Sequence, residues 1–214
     1  MLSPVTRLGC FHPLRQNGAG GRGRLLTLLL AFSVLALLVS MSPSAAPVAE
    51  ASGKNRNLSR MLAPTKVCPT EPATRNLNRA AKAMGCMTNY ARRRAGVKKL
   101  HTLSSLNHSA KMKSRDMLRC DTFAHTSCGR NVLYWYKRVG YIGKVCREIS
   151  ENIGWGGGAL ANTRNMFRAL LYSAGHRHTI LSRTYTVLGN GVVRGNMKGV
   201  SGAGVWTQHF GGPC

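Results

Sequence analysis

Three residues of this chain have the types to do chemistry together: His125, Glu151 and His176. Glu151 stands out because carboxylates are scarce. The chain carries 6 Asp and Glu against 31 Lys and Arg, for a formal net charge of +25, and no acid follows Glu151. It lies in an apolar, glycine-rich run, Ser150-Glu151-Asn152-Ile153-Gly154-Trp155-Gly156-Gly157-Gly158. Phe123-Ala124-His125-Thr126 precedes that run, and Ser173-Ala174-Gly175-His176-Arg177 follows it. We expect the two imidazoles to approach each other in one cleft, with Glu151 hydrogen-bonded to one of them.

Two imidazoles and a carboxylate admit three readings. Neutral imidazoles are good ligands for zinc or copper, with Glu151 either a third ligand or a group that orients one ring. A histidine paired with a carboxylate can also serve as a general base. A hydrolase would further need a nucleophile or an activated water. Ser173 lies three residues before His176, but no G-x-S-x-G elbow surrounds it. In the third reading Glu151 simply holds a buried histidine in place.

These residues need elements to position them. Leu77, Ala80, Met84, Met87 and Ala91 recur at helical spacing and predict a first helix over 76–94, ending in Arg92-Arg93-Arg94. Cations suit a helix C-terminus, so this basic run reads as a solvated helix end and, second, as a binding patch. Leu100-His101-Thr102-Leu103 reads as a short connection. A second helix is expected over 105–119, burying Leu106, Ala110, Lys113 or Ser114, and Met117. His101 and His108 read as surface or capping residues. Leu133, Trp135 and Tyr136 mark a third helix over 131–139, and Met166, Phe167, Leu170 and Leu171 a fourth over 162–172. Ser173-Ala174-Gly175 should end the fourth helix and expose His176. Glu151–Gly156 reads as a short strand opening into a glycine loop. Strands over 184–193 and 200–210, joined near Gly195–Gly199, should form an antiparallel hairpin. Helices first and a hairpin last give an α+β domain.

The N-terminal stretch has a different character. Arg7, Arg15, Arg22 and Arg24 precede an uncharged run from Leu25 to Val39, followed by small residues up to Ala49-Glu50-Ala51. That order is basic region, apolar core and cleavage zone of a secretory signal over 1–51. The apolar run falls short of the roughly 20 residues of a membrane span. Residues 52–75 contain Pro64, Pro69 and Pro72 and read as an extended arm tied down at Cys68. The domain proper is expected over 76–214.

Cysteine usage agrees with export. Cys10 belongs to the leader, and Cys68, Cys86, Cys120, Cys128, Cys146 and Cys214 form an even set, read as three disulfides. We favour Cys68 with Cys86, Cys120 with Cys128 and, by elimination, Cys146 with Cys214. The second pair would make a rigid loop around His125. A chain this basic repels itself when compact, and cross-links would offset that cost. Its partners should be anionic: an envelope polymer, acidic lipid, extracellular glycan or, by charge alone, nucleic acid.

Phe123-Ala124-His125, Glu151-Asn152-Ile153-Gly154, Ser173-Ala174-Gly175-His176-Arg177 and Val205-Trp206-Thr207-Gln208-His209-Phe210-Gly211 occur in an order and spacing that resemble the CAP superfamily. This superfamily comprises cysteine-rich secretory proteins, antigen 5 and pathogenesis-related 1 proteins, and its module is also called the SCP domain. The resemblance spans about 76–211 and is closest to the bacterial secreted branch. It implies an α-β-α sandwich with a central antiparallel sheet, and a cleft of two histidines and two acids that binds divalent metal in some members. His125 matches the first histidine, Glu151 the first acid and His176 the second histidine. The resemblance also selects Glu151 over Glu148. Ser173 stands where the second acid belongs, so the tetrad is incomplete. Asn89 and Arg93 match an asparagine and an arginine of the family's first helix, while Leu170 replaces a frequent tryptophan.

The resemblance implies a secreted binding protein at the cell envelope or outside the cell, with a degenerate His/Glu cleft formed by His125, Glu151, His176 and Ser173. No cofactor is required, and zinc could be held weakly by His125 and His176. The alternative is an extracellular protease or nuclease using His125, Glu151 and His176.

Overall fold

The computed structural model describes residues 6–8, 57–69, 76–143 and 147–214. A five-stranded sheet lies between two layers of helices. Strands β1 (Thr6–Leu8), β2 (His101–Thr102), β3 (Arg147–Gly156), β4 (Val187–Met197) and β5 (Val200–Pro213) are ordered β1-β3-β5-β4-β2. All neighbours are antiparallel except the two-residue β2, which runs parallel to the start of β4. The α-β-α sandwich is therefore the observed fold, with one parallel edge. Strand β1 lies inside the expected leader, so removal of residues 1–51 would leave that edge of β3 uncovered.

One layer holds helices α1 (Leu77–Arg94), α4 (Thr163–Tyr172) and α5 (Ala174–Leu181), and the other holds α2 (Ser104–Arg119) and α3 (Val132–Arg138). Alternation along the strands explains this division. Leu188 and Val192 of β4, with Trp206 and Phe210 of β5, pack on Met84, Met87, Phe167 and Leu170. Residues of the opposite parity, including Ile153, Val193 and Val205, pack on Met117. Ile149 joins Leu106 and Tyr136 in a third cluster. Buried aromatic and aliphatic side chains on both sheet faces supply the main driving force for folding.

Helix α1 starts where Asn76 accepts the Arg79 N–H at 3.0 Å, a side-chain cap of an otherwise orphan donor. Helix α2 lies directly on the backbone of β4. A Cβ on Gly189 or Gly191 would strike the main chain of Leu106 or Ala110, so glycine is what permits this close approach.

The structure departs from the sequence reading at several points. Residues 57–69 are packed rather than extended, with Leu58, Ala63 and Cys68 buried. Arg92 is 1% exposed and lies under the chain, not in a surface patch. It donates to the carbonyls of Lys98, Ile180 and Ser182 at 2.7–2.8 Å, which tethers α1 to the end of α5. Arg93, the residue matched to the family's arginine, stacks on Tyr90 instead. Asn89, by contrast, exchanges two hydrogen bonds with Leu100, at 3.0 and 2.8 Å. Strand β3 begins at Arg147, four residues earlier than expected. His101 and Thr102 form β2 rather than a plain connection.

Cys68–Cys86 and Cys120–Cys128 are bonded, two of the three pairs expected. Cys214 is also disulfide-bonded. Cys146, its expected partner, lies outside the described residues, as do Cys10 and the apolar run over 25–39. Among the described residues, no helix is long and apolar enough to cross a membrane.

Candidate functional site

Glu151 sits at the centre of a hydrogen-bonded chain that crosses from a loop to the core. On one side His125 Nδ1 approaches Glu151 Oε1 at 2.7 Å. On the other, His209 Nε2 approaches Glu151 Oε2 at 2.9 Å. His209 Nδ1 then meets Ser109 Oγ at 2.7 Å. The register places Glu151 of β3 directly opposite His209 of β5. Ser109, Glu151 and His209 are fully buried, whereas the His125 side chain keeps 14% of its surface exposed.

The acid–base state follows from which atoms can donate. An ionised carboxylate only accepts, so both imidazoles present N–H groups to Glu151. Burial pushes the Glu151 carboxyl up, but hydrogen bonds from His125 and His209 and the nearby charges outweigh it and hold it at about 2. Burial pulls His209 below its ordinary value, against the pull of Glu151. A neutral His209 with its proton on Nε2 leaves Nδ1 to accept from Ser109 Oγ at 2.7 Å, the shorter of the two contacts that compete for the single hydroxyl proton, the other being the Leu106 carbonyl at 3.0 Å. In His125 the same tautomer logic places the proton on Nδ1 and makes Nε2 the basic nitrogen.

Lys113 fixes the loop that carries His125. Its ammonium donates to Ala124 O at 2.6 Å, His125 O at 3.0 Å and Ser127 Oγ at 2.9 Å, and it lies 4.4 Å from the Trp135 ring centre. Three acceptors and a ring face compensate for a fully buried cation. Burial pushes its pKa down to about 8, against the charges of Glu151 and Asp116. Disulfide Cys120–Cys128 closes the same loop. Asp116 braces the neighbouring wall, accepting from Arg130 at 2.8 Å, Arg119 at 2.9 Å and Trp135 Nε1 at 3.1 Å.

His176 is placed differently from the sequence reading. It is 2% exposed, because a further helix, α5, follows Ser173 directly and carries it inward. Its Nδ1 lies 2.7 Å from Ser173 Oγ, so the serine at the position of the missing acid does pair with this histidine. Asn152 donates to the His176 carbonyl at 3.2 Å. Consecutive residues of β3 thus hold both histidine-bearing segments, Glu151 through an imidazole and Asn152 through a carbonyl.

Sequence reasoning missed His209 and Lys113. Each had a signal: His209 is a polar residue inside an apolar strand, and Lys113 falls on the buried stripe of α2. Neither could be assigned a partner before the strand register was known.

Ser109, His209 and Glu151 have the connectivity of a hydrolytic triad, but the imidazole nitrogens are exchanged relative to that arrangement. Full burial of all three also denies them a substrate. This part of the chain braces the fold. The donor set does not fit a tightly held metal ion either. Both Glu151 oxygens accept from histidines, and a serine replaces the second acid. Among the described residues, no group of three or more His, Cys, Asp or Glu side chains could hold a metal.

The molecule is thus a disulfide-bonded α-β-α sandwich with a Glu–His pair buried in the middle of its antiparallel strands and tied to a loop histidine. The chain belongs to the cysteine-rich secretory protein (CAP) family, whose profile matches residues 86–210. It is 29% identical over 145 residues to the uncharacterized protein YkwD of Bacillus subtilis, covering 68% of this chain and 52% of that protein. The chain thus spans about half the length of this curated relative. An extracellular SCP-domain protein of Bacillus anthracis shares the fold with a TM-score of 0.53 at 22% identity, over 70% of this chain and 43% of that one. An outer surface protein of Borrelia burgdorferi also gives 0.53, at 14% identity, over 65% of this chain and 96% of its own.

Proposed function

We propose that this CAP-domain protein is exported and acts by binding anionic material at the cell envelope or outside the cell. The observation that carries this reading is the inward placement of acids on a very basic chain. Of the four described acids, Glu151 and Asp116 are 0% and 6% exposed, Glu148 is half-buried and Asp121 alone is exposed, while Arg93, Arg94, Lys98, Lys99, Arg115 and Arg119 are all exposed. The surface is left strongly positive, which attracts polyanions at long range. Disulfides, the signal-like leader and the likeness to an extracellular SCP-domain protein and to an outer surface protein support export. The ligand class is an anionic envelope polymer, lipid or glycan, with nucleic acid a further polyanion.

In this reading His125, which keeps 14% of its side-chain surface exposed, faces the ligand, and the buried Glu151 holds it rigid from behind. A zinc ion held there by His125 and His176 would have two imidazoles and no carboxylate, a weak set. Retention of the full exported protein on an anionic polymer, measured with and without neutralisation of its exposed lysines and arginines, tests the binding reading. The hydrolase reading requires product release that disappears in His125→Ala while the fold persists.

A further inference from the structure

A groove of about 490 Å³ opens between α1 and α2 at the edge of β4 that β2 leaves uncovered. Its walls include Asn78, Lys82, Asn107, His108 and Lys111, and Asn190 of β4 forms part of its floor. The lining contains no carboxylate and no arginine. The volume falls within the range of small-molecule sites.

The floor residue is oriented by a chain of amides. The His176 carbonyl can only accept, so Asn152 must turn its Nδ2 toward it. The same Nδ2 lies 3.2 Å from Gln208, which must therefore present Oε1. Gln208 Nε2 then donates to Thr88 Oγ1 at 2.9 Å and to Asn190 Oδ1 at 3.3 Å. Asn190 is left with its Nδ2 on the groove side. The residue is 4% exposed, and its Nδ2 has no hydrogen-bond acceptor among the described residues. Gly85 makes room above that amide, for a Cβ there would come within 3.0 Å of Nδ2. Glycine inside a helix costs about 1 kcal/mol relative to alanine, so the gap is kept against helix propensity.

We propose that this groove is a second ligand site, for a phosphate group carried on a hydroxyl-rich chain such as a glycerol phosphate. The Nδ2 of Asn190 donates to a ligand oxygen, Lys82 and Lys111 supply positive charge, His108 offers a ring nitrogen for hydrogen bonding, and Asn78 and Asn107 face the hydroxyls. Lysine favours this choice, because it meets a tetrahedral phosphate as a point charge, whereas a planar carboxylate is matched by the fork of arginine. The site is separate from His125 and Glu151, and its failure would leave binding by the basic surface untouched.

The test is a side-chain amide NMR titration of the full exported, oxidised protein with glycerol 3-phosphate. Glycerol serves as the neutral control, and phosphatidylglycerol vesicles serve as a lipid source of the same headgroup. The Asn190 side-chain resonances should shift saturably with glycerol 3-phosphate and not with glycerol. Gly85→Ala, which fills the gap while favouring the helix, should weaken binding about tenfold, as should Lys82→Gln with Lys111→Gln. A response to the vesicles alone would support the site with the lipid as its source. Asn190 resonances unmoved by either source, or affinity unchanged in both variants, would overturn the proposal. A shift driven by an acidic peptide such as tetraglutamate but by neither phosphate probe would overturn it equally.

Discussion

Glu151 Oε2 and His209 Nε2 lie 2.9 Å apart with both side chains fully buried, on residues that face each other across strands β3 and β5. The other oxygen of Glu151 is held at 2.7 Å by His125, on a loop. One carboxylate therefore ties a partly exposed histidine to the centre of the sheet. Its replacement should cost far more than a surface acid.

Glu151→Gln keeps the shape but offers one acceptor and one donor where two histidine N–H groups point. One N–H would then face the amide NH₂. We expect a loss of about 3 kcal/mol, the scale on which a broken buried pair destabilises. Urea unfolding followed by tryptophan fluorescence measures it, and a loss below about 0.5 kcal/mol would fit a surface position rather than this one.

Acid should destabilise the protein in two stages. Burial lowers the His209 pKa in the fold, so between that value and about 6.5 the unfolded chain binds the extra proton. Stability then falls as pH drops through this window. Glu151 is held at about 2 against an ordinary 4.5. Its contribution, on the order of 3 kcal/mol, is complete above pH 4.5 and is lost as pH falls toward 2. Unfolding free energies across this range should decline in both windows for the native chain, and Glu151→Gln should remove the lower one.

Lys113→Met removes the donor shared by Ala124 O, His125 O and Ser127 Oγ. Buried acceptors without partners cost about 1–3 kcal/mol. Amide exchange over residues 122–127 should accelerate while that of β5 stays slow. Unchanged exchange in the loop would mean that the disulfide Cys120–Cys128 and the Glu151 hydrogen bond hold His125 without Lys113.

Gly189→Ala or Gly191→Ala would push a methyl group into the main chain of α2. Overpacking costs about 1–3 kcal/mol where side chains can adjust, and here the obstacle is backbone. Each variant should be at least that destabilised in thermal unfolding, with no effect on net charge.

Helical spacing in Leu77–Ala91, the bracketing of His125 by Cys120 and Cys128, and the family motifs made the layers and two disulfides legible in the sequence, and left open which histidine Glu151 holds. What escaped depended on long-range pairing. Nothing local says that His209 lies opposite Glu151, because that is a matter of strand register. Arg92 and Arg93 look alike in a basic run, and only the carbonyls at the end of α5 decide which is drawn inside. Ser173-Ala174-Gly175 resembles a helix stop, yet Ser173 is both the last residue's cap and the start of α5, so His176 turns inward rather than out.

The central claim, that the exported protein binds polyanions through its basic surface, is tested most directly by affinity for a sulfated glycan as salt is raised. Counterion release makes the logarithm of the binding constant fall linearly with the logarithm of salt concentration. We expect a steep decline between about 50 and about 200 mM NaCl, with the glycan recovered intact. Affinity that is flat across that range, or glycan cleavage abolished by His125→Ala, would contradict the account.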